Sequence, residues 1–301
     1  MNFDKIESIA KRYEAVMLYN TPMRDYNTMH VGGNAAALVK PNCLECLSEI
    51  LTICKSDEIK YFVIGNGSNI IVDDNGLDAL VIVLANSFSG IELKNGLIEC
   101  EAGTQLIAVC NFALNNNLSG LEFAYGIPGT IGGGVYMNAG AYGGEMKDII
   151  YSCDCITENG ELKTILAKDM NLSYRHSIFC ESKDIITKVR LKLKNADKSE
   201  IKALMDKNIK ARKDKQPLEF PSSGSTFKRP DGSYASLLIE QCGLKGKSVG
   251  KAQVSEKHSG FVINKGGASC SDILNLIKEI QDVVFEKTGY KLECEVKYLK
   301  N

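Results

Sequence analysis

The chain has 301 residues, of which 44% are hydrophobic and 24% charged, the make-up of a folded globular protein long enough for roughly two domains. Its 36 lysines and arginines nearly cancel its 37 aspartates and glutamates, so no global field draws it to nucleic acid or to an anionic membrane surface. The longest wholly apolar run, residues 79–85, falls far short of the roughly 20 residues of a spanning helix, and a cytoplasmic protein with neither nucleic acid nor membrane as partner is expected.

At the N-terminus, Phe3, Ile6, Ile9 and Tyr13 recur at near-helical spacing among charges, without the apolar stretch of a secretion signal. A short amphipathic helix is therefore predicted within residues 1–20. The 11 cysteines are odd in number and scattered, in a chain large enough to fold without staples, so they read as reduced thiols. Cys43 and Cys46 form a lone C-x-x-C and Cys153 and Cys155 would share one strand face. Neither pair has a second pair at metal-ligand spacing, so no metal is expected.

From about residue 60 to 195 the pattern is strand-rich. The apolar runs 61–64, 70–72 and 79–84 are bounded by Gly, Asn and Asp, as strands are. Asn95-Gly96 and Asn159-Gly160 each separate two alternating segments and predict tight hairpins, because Asn-Gly takes the positive φ angles such turns require. Residues 188–194 alternate charged and apolar, as a half-exposed strand does. A boundary is expected at about Asn195. Beyond it Ile201, Leu204, Met205 and Ile209 have the spacing of a surface helix over 197–213. A later helix should open at Ser269 as N-cap, with Asp272 three residues on, and end at Gly289. Residues 292–299 then return to strand, with Glu293 and Glu295 on one face and Cys294 and Val296 on the other.

Two segments hold a dense share of the 27 glycines. Gly65-Asn66-Gly67-Ser68-Asn69 joins two apolar runs and could turn successive backbone N–H groups toward a phosphate; an ordinary glycine turn is the alternative. Its resemblance to a dinucleotide fingerprint fails at Ile70. The second segment runs from Gly126 through Gly129-Thr130-Ile131-Gly132-Gly133-Gly134 and Asn138-Ala139-Gly140 to Gly144. It is too glycine-rich for a strand or helix interior and too rich in apolar anchors for a mobile linker, so its backbone should lie against something planar or anionic. Three further segments carry reactive groups: Arg175 among aromatic and small polar residues, Ser225 and its neighbouring hydroxyls around Gly224, and Glu293 with Glu295. Singly, each could be a structural ion pair, a serine-rich turn or a pair of solvated carboxylates.

In order, however, Gly-Asn-Gly-Ser-Asn at 65, Gly-Ile-Pro-Gly-Thr-Ile-Gly-Gly at 126, Met-Asn-Ala-Gly-Ala-Tyr-Gly at 137, Tyr-Arg-His-Ser-Ile-Phe at 174, Gly-Ser-Thr-Phe-Lys-Arg-Pro at 224, Ser-Glu-Lys-His-Ser-Gly-Phe at 255 and Glu-Cys-Glu-Val at 293 resemble the UDP-N-acetylenolpyruvoylglucosamine reductase family. The resemblance spans about Tyr26 to Lys297. It implies an α+β chain: an FAD-binding domain of the vanillyl-alcohol-oxidase (PCMH) type in two α+β subdomains over 21–195, then a smaller substrate-binding domain over 196–301 whose last strand returns to the active site. It also implies noncovalent FAD, NADPH as co-substrate, and UDP-N-acetylglucosamine-enolpyruvate reduced to UDP-N-acetylmuramate in peptidoglycan synthesis.

Matched by motif, Arg175 and Glu295 would flank the substrate carboxylate and Ser225 would supply a proton. Gly65, Asn66, Gly67, Ser68, Asn69, Gly129, Thr130, Gly132, Gly133, Asn138 and Gly140 would hold FAD, and Lys215 and Lys228 would face the diphosphate or enolpyruvyl group. Lys251 and Cys294 depart from the pattern, at positions where a glycine and often a proline are expected. The chain has no room for the inserted tyrosine segment of longer members, so it resembles the shorter subclass.

Overall fold

The computed structural model describes residues 2–157 and 160–301. The chain forms two compact units, neither of them contiguous. The first comprises Met1–Tyr19, Ala37–Asn66 and Ala79–Ala211, and the second Asn20–Ala36, Gly67–Asp78 and Arg212–Asn301. The expected single break near Asn195 is therefore replaced by several crossings. The chain passes between units inside the strands Val16–Pro22, Asn34–Lys40 and Leu77–Val83, inside the Gly65-to-Asn69 loop, and inside the helix Lys198–Lys215. The N-terminal segment likewise ends its helix at Arg12 and is already strand by Val16.

In the first unit the helix Asp4–Arg12 buries Ile6, Ile9 and Ala10, the face its spacing predicts. The helix Leu44–Ser56 buries Cys46, Leu47, Ile50, Leu51 and Cys54. Cys43 caps it by accepting the Cys46 N–H at 3.4 Å, and burial pushes the Cys46 thiol up to about 11. Here the C-x-x-C is a helix start. Strand Tyr61–Ile64 pairs in parallel with Leu77–Val83, with Tyr61 opposite Leu80. An antiparallel five-stranded sheet follows, in the order Leu162–Leu166, Ile150–Ile156, Ile185–Leu191, Leu97–Glu101, Ile91–Lys94. Asn95 (φ 52°) and Gly96 (φ 75°) close its last hairpin as predicted. Ile156 pairs with Leu162 across the other expected hairpin, whose Asn159 lies outside the described residues.

Within this sheet Arg190 reaches both carboxylate oxygens of Asp154 at 2.7 Å and Glu99 at 3.2 Å. Burial alone would raise Asp154, but the Arg190 fork, the Thr164 hydroxyl and Lys188 outweigh it and hold its carboxyl below the usual range.

Two expectations shift here. The 188–194 strand starts earlier, at Ile185, because Ile185 and Ile186 pair with Ile156 and Cys155; it ends at Leu191. In Lys198–Lys215 the buried residues are Ile201, Met205, Asn208 and Arg212, while Leu204 is 43% exposed. The stripe follows the spacing i, i+4, i+7, and Asn208 is tolerated on it because its amide donates to the Glu122 carbonyl at 3.0 Å.

The second unit packs the helices Ala235–Gln241 and Cys270–Thr288 on the antiparallel strands Ser248–Val249, Ala252–Val254 and Val262–Asn264. Its core joins Leu238, Ile239, Ile273, Leu276 and Ile280 to Met29, Val31 and Ile71. Ser269 and Asp272 form the predicted capping box and Gly289 ends the helix at φ 75°. The Asp74 carboxylate adds a second cap, accepting the Cys270 and Ser271 N–H groups at 2.7 and 2.8 Å.

The expected strand 292–299 is shorter, Lys297–Leu299, running parallel to Ile70–Val72. Glu293 and Cys294 are both exposed, Glu295 is half-buried and Val296 buried, so the expected alternation of faces does not hold. The cause is a change of partner. Residues 293–295 bond to the 226–228 backbone, whereas Lys297 donates to Asn69.

Candidate functional site

In the first unit the start of the first glycine segment, Gly65-Asn66, meets the second segment. A Cβ on Gly65 would stand 2.4 Å from the Thr130 hydroxyl oxygen. Asn66 donates to the Pro128 carbonyl at 2.9 Å and accepts from the Gln105 amide at 3.3 Å. Thr130 is buried and caps the short helix Ile131–Tyr136 by accepting the Gly133 N–H at 3.3 Å. Gly129 is paired on both sides, donating to Ile127 and accepting from Leu106. Gly132 is small for a packing reason: its Cβ would lie 2.9 Å from the Ala102 carbonyl, to which its own N–H donates. Gly133 is exposed, and a Cβ there would meet nothing nearer than the Thr130 hydroxyl at 3.4 Å.

The N–H groups of residues 131–134 are thus committed to Thr104, Ala102 and Thr130. Donors for a diphosphate must come from elsewhere on the loops, and the donor chemistry present fits one. In the second unit Ser68 is half-buried, and its hydroxyl, which has no protein partner among the described residues, is one such donor. The open surface over Gly133 fits the approach of a flat ring.

A second constellation in this unit surrounds Arg175. Residues 173–176 form a tight turn closed by Ser173 N–H to His176 O at 3.1 Å and His176 N–H to Ser173 O at 3.2 Å, with Arg175 at φ 55°. Arg175 is half-buried, its guanidinium 3.5 Å from the Gly140 carbonyl and 5.2 Å from the Tyr174 ring centre. Asn138, fully buried at φ 41°, sits in this group rather than beside Gly65. Its amide donates to Ser173 O at 2.9 Å and Glu145 Oε2 at 2.7 Å, and its oxygen accepts the Lys147 N–H at 2.9 Å. Gly140 belongs to a small hairpin opposite Glu145. Sequence reasoning overlooked Glu145, Lys147 and Ser177. The motif's Asn among glycines marks a left-handed backbone but says nothing of its partners.

In the second unit Ser225 is the exposed residue between two buried anchors. Ser223 donates to the Ile70 carbonyl at 2.9 Å. Thr226 donates its N–H to Gly260 O at 2.9 Å and accepts the Val262 N–H on its hydroxyl at 3.0 Å. Glu295 donates its N–H to Thr226 O at 2.9 Å and its carbonyl accepts from the Asn69 amide at 3.2 Å. The structure therefore joins Ser225, Glu295 and Asn69 through adjoining backbone. Gly67 is fixed beside them at φ 63°, where a Cβ would stand 2.1 Å from the Tyr26 carbonyl.

Behind Thr226, the Gly260 N–H donates to His258 Nδ1 at 3.2 Å, and burial holds that imidazole below its ordinary value. Lys228 forms an exposed pair with Glu293 at 3.2 Å, and Lys215 is the exposed last residue of its helix. The structure brings neither lysine into the Ser225 group. Among the described residues no His, Cys, Asp or Glu cluster could hold a metal ion, and no helix is long and apolar enough to cross a membrane.

Residues 35–166 match the model of an FAD binding domain, and residues 216–299 match that of the UDP-N-acetylenolpyruvoylglucosamine reductase C-terminal domain. Among similar proteins, the UDP-N-acetylenolpyruvoylglucosamine reductase of Clostridium novyi is 45% identical over 293 residues, 97% of this chain and 94% of that protein. The enzyme of the same name from Agathobacter rectalis is 44% identical, covering 99% of both chains. The crystal structure of the UDP-N-acetylenolpyruvylglucosamine reductase from Thermus caldophilus superposes with a TM-score of 0.81 at 36% identity, over 95% of this chain and 99% of that one.

Proposed function

This chain belongs to the UDP-N-acetylenolpyruvoylglucosamine reductase family, and we propose that Arg175, Ser225 and Glu295 are the residues through which it carries out that family's reaction. The reaction is reduction of the enolpyruvyl group of UDP-N-acetylglucosamine-enolpyruvate to UDP-N-acetylmuramate, a step of peptidoglycan precursor synthesis, in an α+β enzyme that uses FAD and NADPH. When bound, noncovalent FAD supplies the means of passing hydride from NADPH to the enolpyruvyl carbon.

Hydride arriving at the terminal carbon leaves an electron pair on the neighbouring carbon, delocalised into its carboxylate. Arg175, fixed by a closed turn, stabilises that charge. The Ser225 O–H bond breaks as the new C–H bond forms, and the serine oxygen regains a proton afterwards. Glu295 orients the substrate carboxylate. Gly65, Asn66, Gly67, Ser68, Asn69 and the 129–133 segment cradle the cofactor; Asn138 and Gly140, to which the same motif points, serve the Arg175 turn instead, and Lys215 and Lys228 attract the diphosphate from the surface. Cofactor binding falls chiefly within residues 21–195 and substrate binding within 196–301, a division supported by the two family matches. The cytoplasm is the proposed compartment, supported by the 11 free cysteines.

The observation that carries the reading is Ser225, an exposed hydroxyl held between buried anchors and one backbone bond away from Glu295. The test separates the two half-reactions. Ser225→Ala should bleach with NADPH at close to the wild-type rate, yet reoxidise with UDP-N-acetylglucosamine-enolpyruvate slower by about 10² to 10⁴. Ser225→Cys should recover part of the loss. Normal reoxidation in stopped flow, or equal loss in both half-reactions, would remove Ser225 from the role.

A further inference from the structure

Arg175 occupies a left-handed backbone position that a residue with a Cβ adopts only when its surroundings hold it there. Two buried side chains hold the turn at its ends. Asn138 donates to the carbonyl of Ser173, the first residue of the turn, and Ser177, just after it, donates its hydroxyl to Tyr136 O at 2.7 Å. Both bonds tie the turn to one stretch, residues 136–138, at the end of the short helix Ile131–Tyr136. The Asn138 side chain has no polar atom without a partner. Its second amide bond goes to Glu145 and its oxygen accepts from Lys147, and the side chain has no exposed surface. A ligand could reach it only through the residues it holds.

We infer that Asn138 is a positioning residue for the reduction step: it acts through Arg175, by fixing the Ser173 carbonyl and with it the turn that aims the guanidinium. The inference rests on the role given to Arg175 above. Loss of the amide removes a buried side-chain donor from Ser173 O, lets the turn shift, and moves the guanidinium relative to the charge it should meet. A displacement of about 1 Å costs about 10²-fold in rate. Hydride transfer from NADPH needs no guanidinium at that carboxylate, so it should be spared.

The test is a double-mutant cycle on the flavin-loaded enzyme. Asn138→Gly removes the side chain while leaving a residue at ease at positive φ, and Asn138→Asp keeps the oxygen that serves Lys147 but lacks the amide donor. Both should bind flavin as the wild type does, bleach with NADPH within about twofold of it, and reoxidise with the enolpyruvyl substrate about 10²-fold more slowly. In an Arg175→Ala background the same changes should cost less than about twofold, because the group they position is gone. Ser177→Ala, which unties the other end of the turn, should show the same loss of effect in that background and serves if either Asn138 variant fails to fold. A full penalty persisting in Arg175→Ala, or flavin binding and bleaching falling in step with reoxidation, would overturn the inference and leave Arg175 in its role. Wild-type reoxidation in Arg175→Ala alone would overturn the role of Arg175 and the inference together.

Discussion

Glu295 carries its carboxyl on a backbone tied on both sides, its N–H to Thr226 and its carbonyl to Asn69, so the side chain is delivered to a fixed place. Beside a substrate carboxylate an ionised glutamate would repel it, and a protonated one would donate a hydrogen bond. Glu295→Gln, which still donates, is expected to retain substantial turnover, and Glu295→Ala little. Steady-state rates at saturating NADPH decide it, since equal and total loss in both would mean proton transfer by Glu295 instead. The glycine loop divides in a similar way. The motif points to Gly65 through Asn69, but it does not say that Gly67 is glycine because the Tyr26 backbone touches it, a neighbour 41 residues away in the chain. Gly67→Val should therefore destabilise the fold and so reports little about cofactor. Ser68→Ala leaves the packing intact and removes a hydroxyl proposed to face an anion. It should fold normally and bind FAD about tenfold more weakly or worse, the usual loss for a hydrogen bond to a charged group, as read by flavin titration.

Elements whose ends are written in local chemistry were legible. Asn95-Gly96 gave its hairpin, and Ser269, Asp272 and Gly289 gave both ends of a helix, because turns and caps are decided by residues a few positions apart. Elements decided by distant partners were not. The segment 292–299 changes partner midway, Asn208 is buried because a carbonyl 86 residues away accepts from it, and Asp74 caps a helix 196 residues ahead. That second cap bears on stability: Ser269→Ala should cost about 1 kcal/mol or less in urea unfolding, since Asp74 still satisfies the next two N–H groups. His258 adds a pH dependence to the same unit. Burial lowers its folded pKa below the ordinary 6.5, so the folded imidazole stays neutral where the unfolded one has taken a proton. Its contribution is fully present above about 6.5 and is lost as pH falls from there toward the folded value. Wild-type protein should thus lose more stability than His258→Asn on going from pH about 7.5 to about 5.5, as followed by urea unfolding at each pH.

At the scale of the whole molecule, composition and motif order were enough for the class and the reaction, but the division of the chain was not legible. Sequence patterning sees a change of texture near Asn195, where strands give way to a charged helix. Compactness follows contacts, and those of Asn20–Ala36 and Gly67–Asp78 lie with the C-terminal third. Met29, Val31 and Ile71 are at most 2% exposed in a core they share with Ile273, Leu276 and Ile280. The Met29 carbonyl accepts from Asn264, the Thr28 hydroxyl donates to Ser222 O, and Ile70–Val72 pairs with Lys297–Leu299. A chain cut at residue 195 would keep every residue of the first sheets and still strip these segments of their partners. Residues 1–195 alone should therefore expose apolar surface, bind 1-anilinonaphthalene-8-sulfonate, and melt without a cooperative transition. Adding residues 196–301 as a separate chain should restore cooperative melting and flavin binding together, because the missing partners are noncovalent. Cooperative melting of residues 1–195 alone, with flavin bound at wild-type affinity, would show that the division near Asn195 is the one that matters for folding and that the crossings lie within a self-sufficient flavin-binding domain.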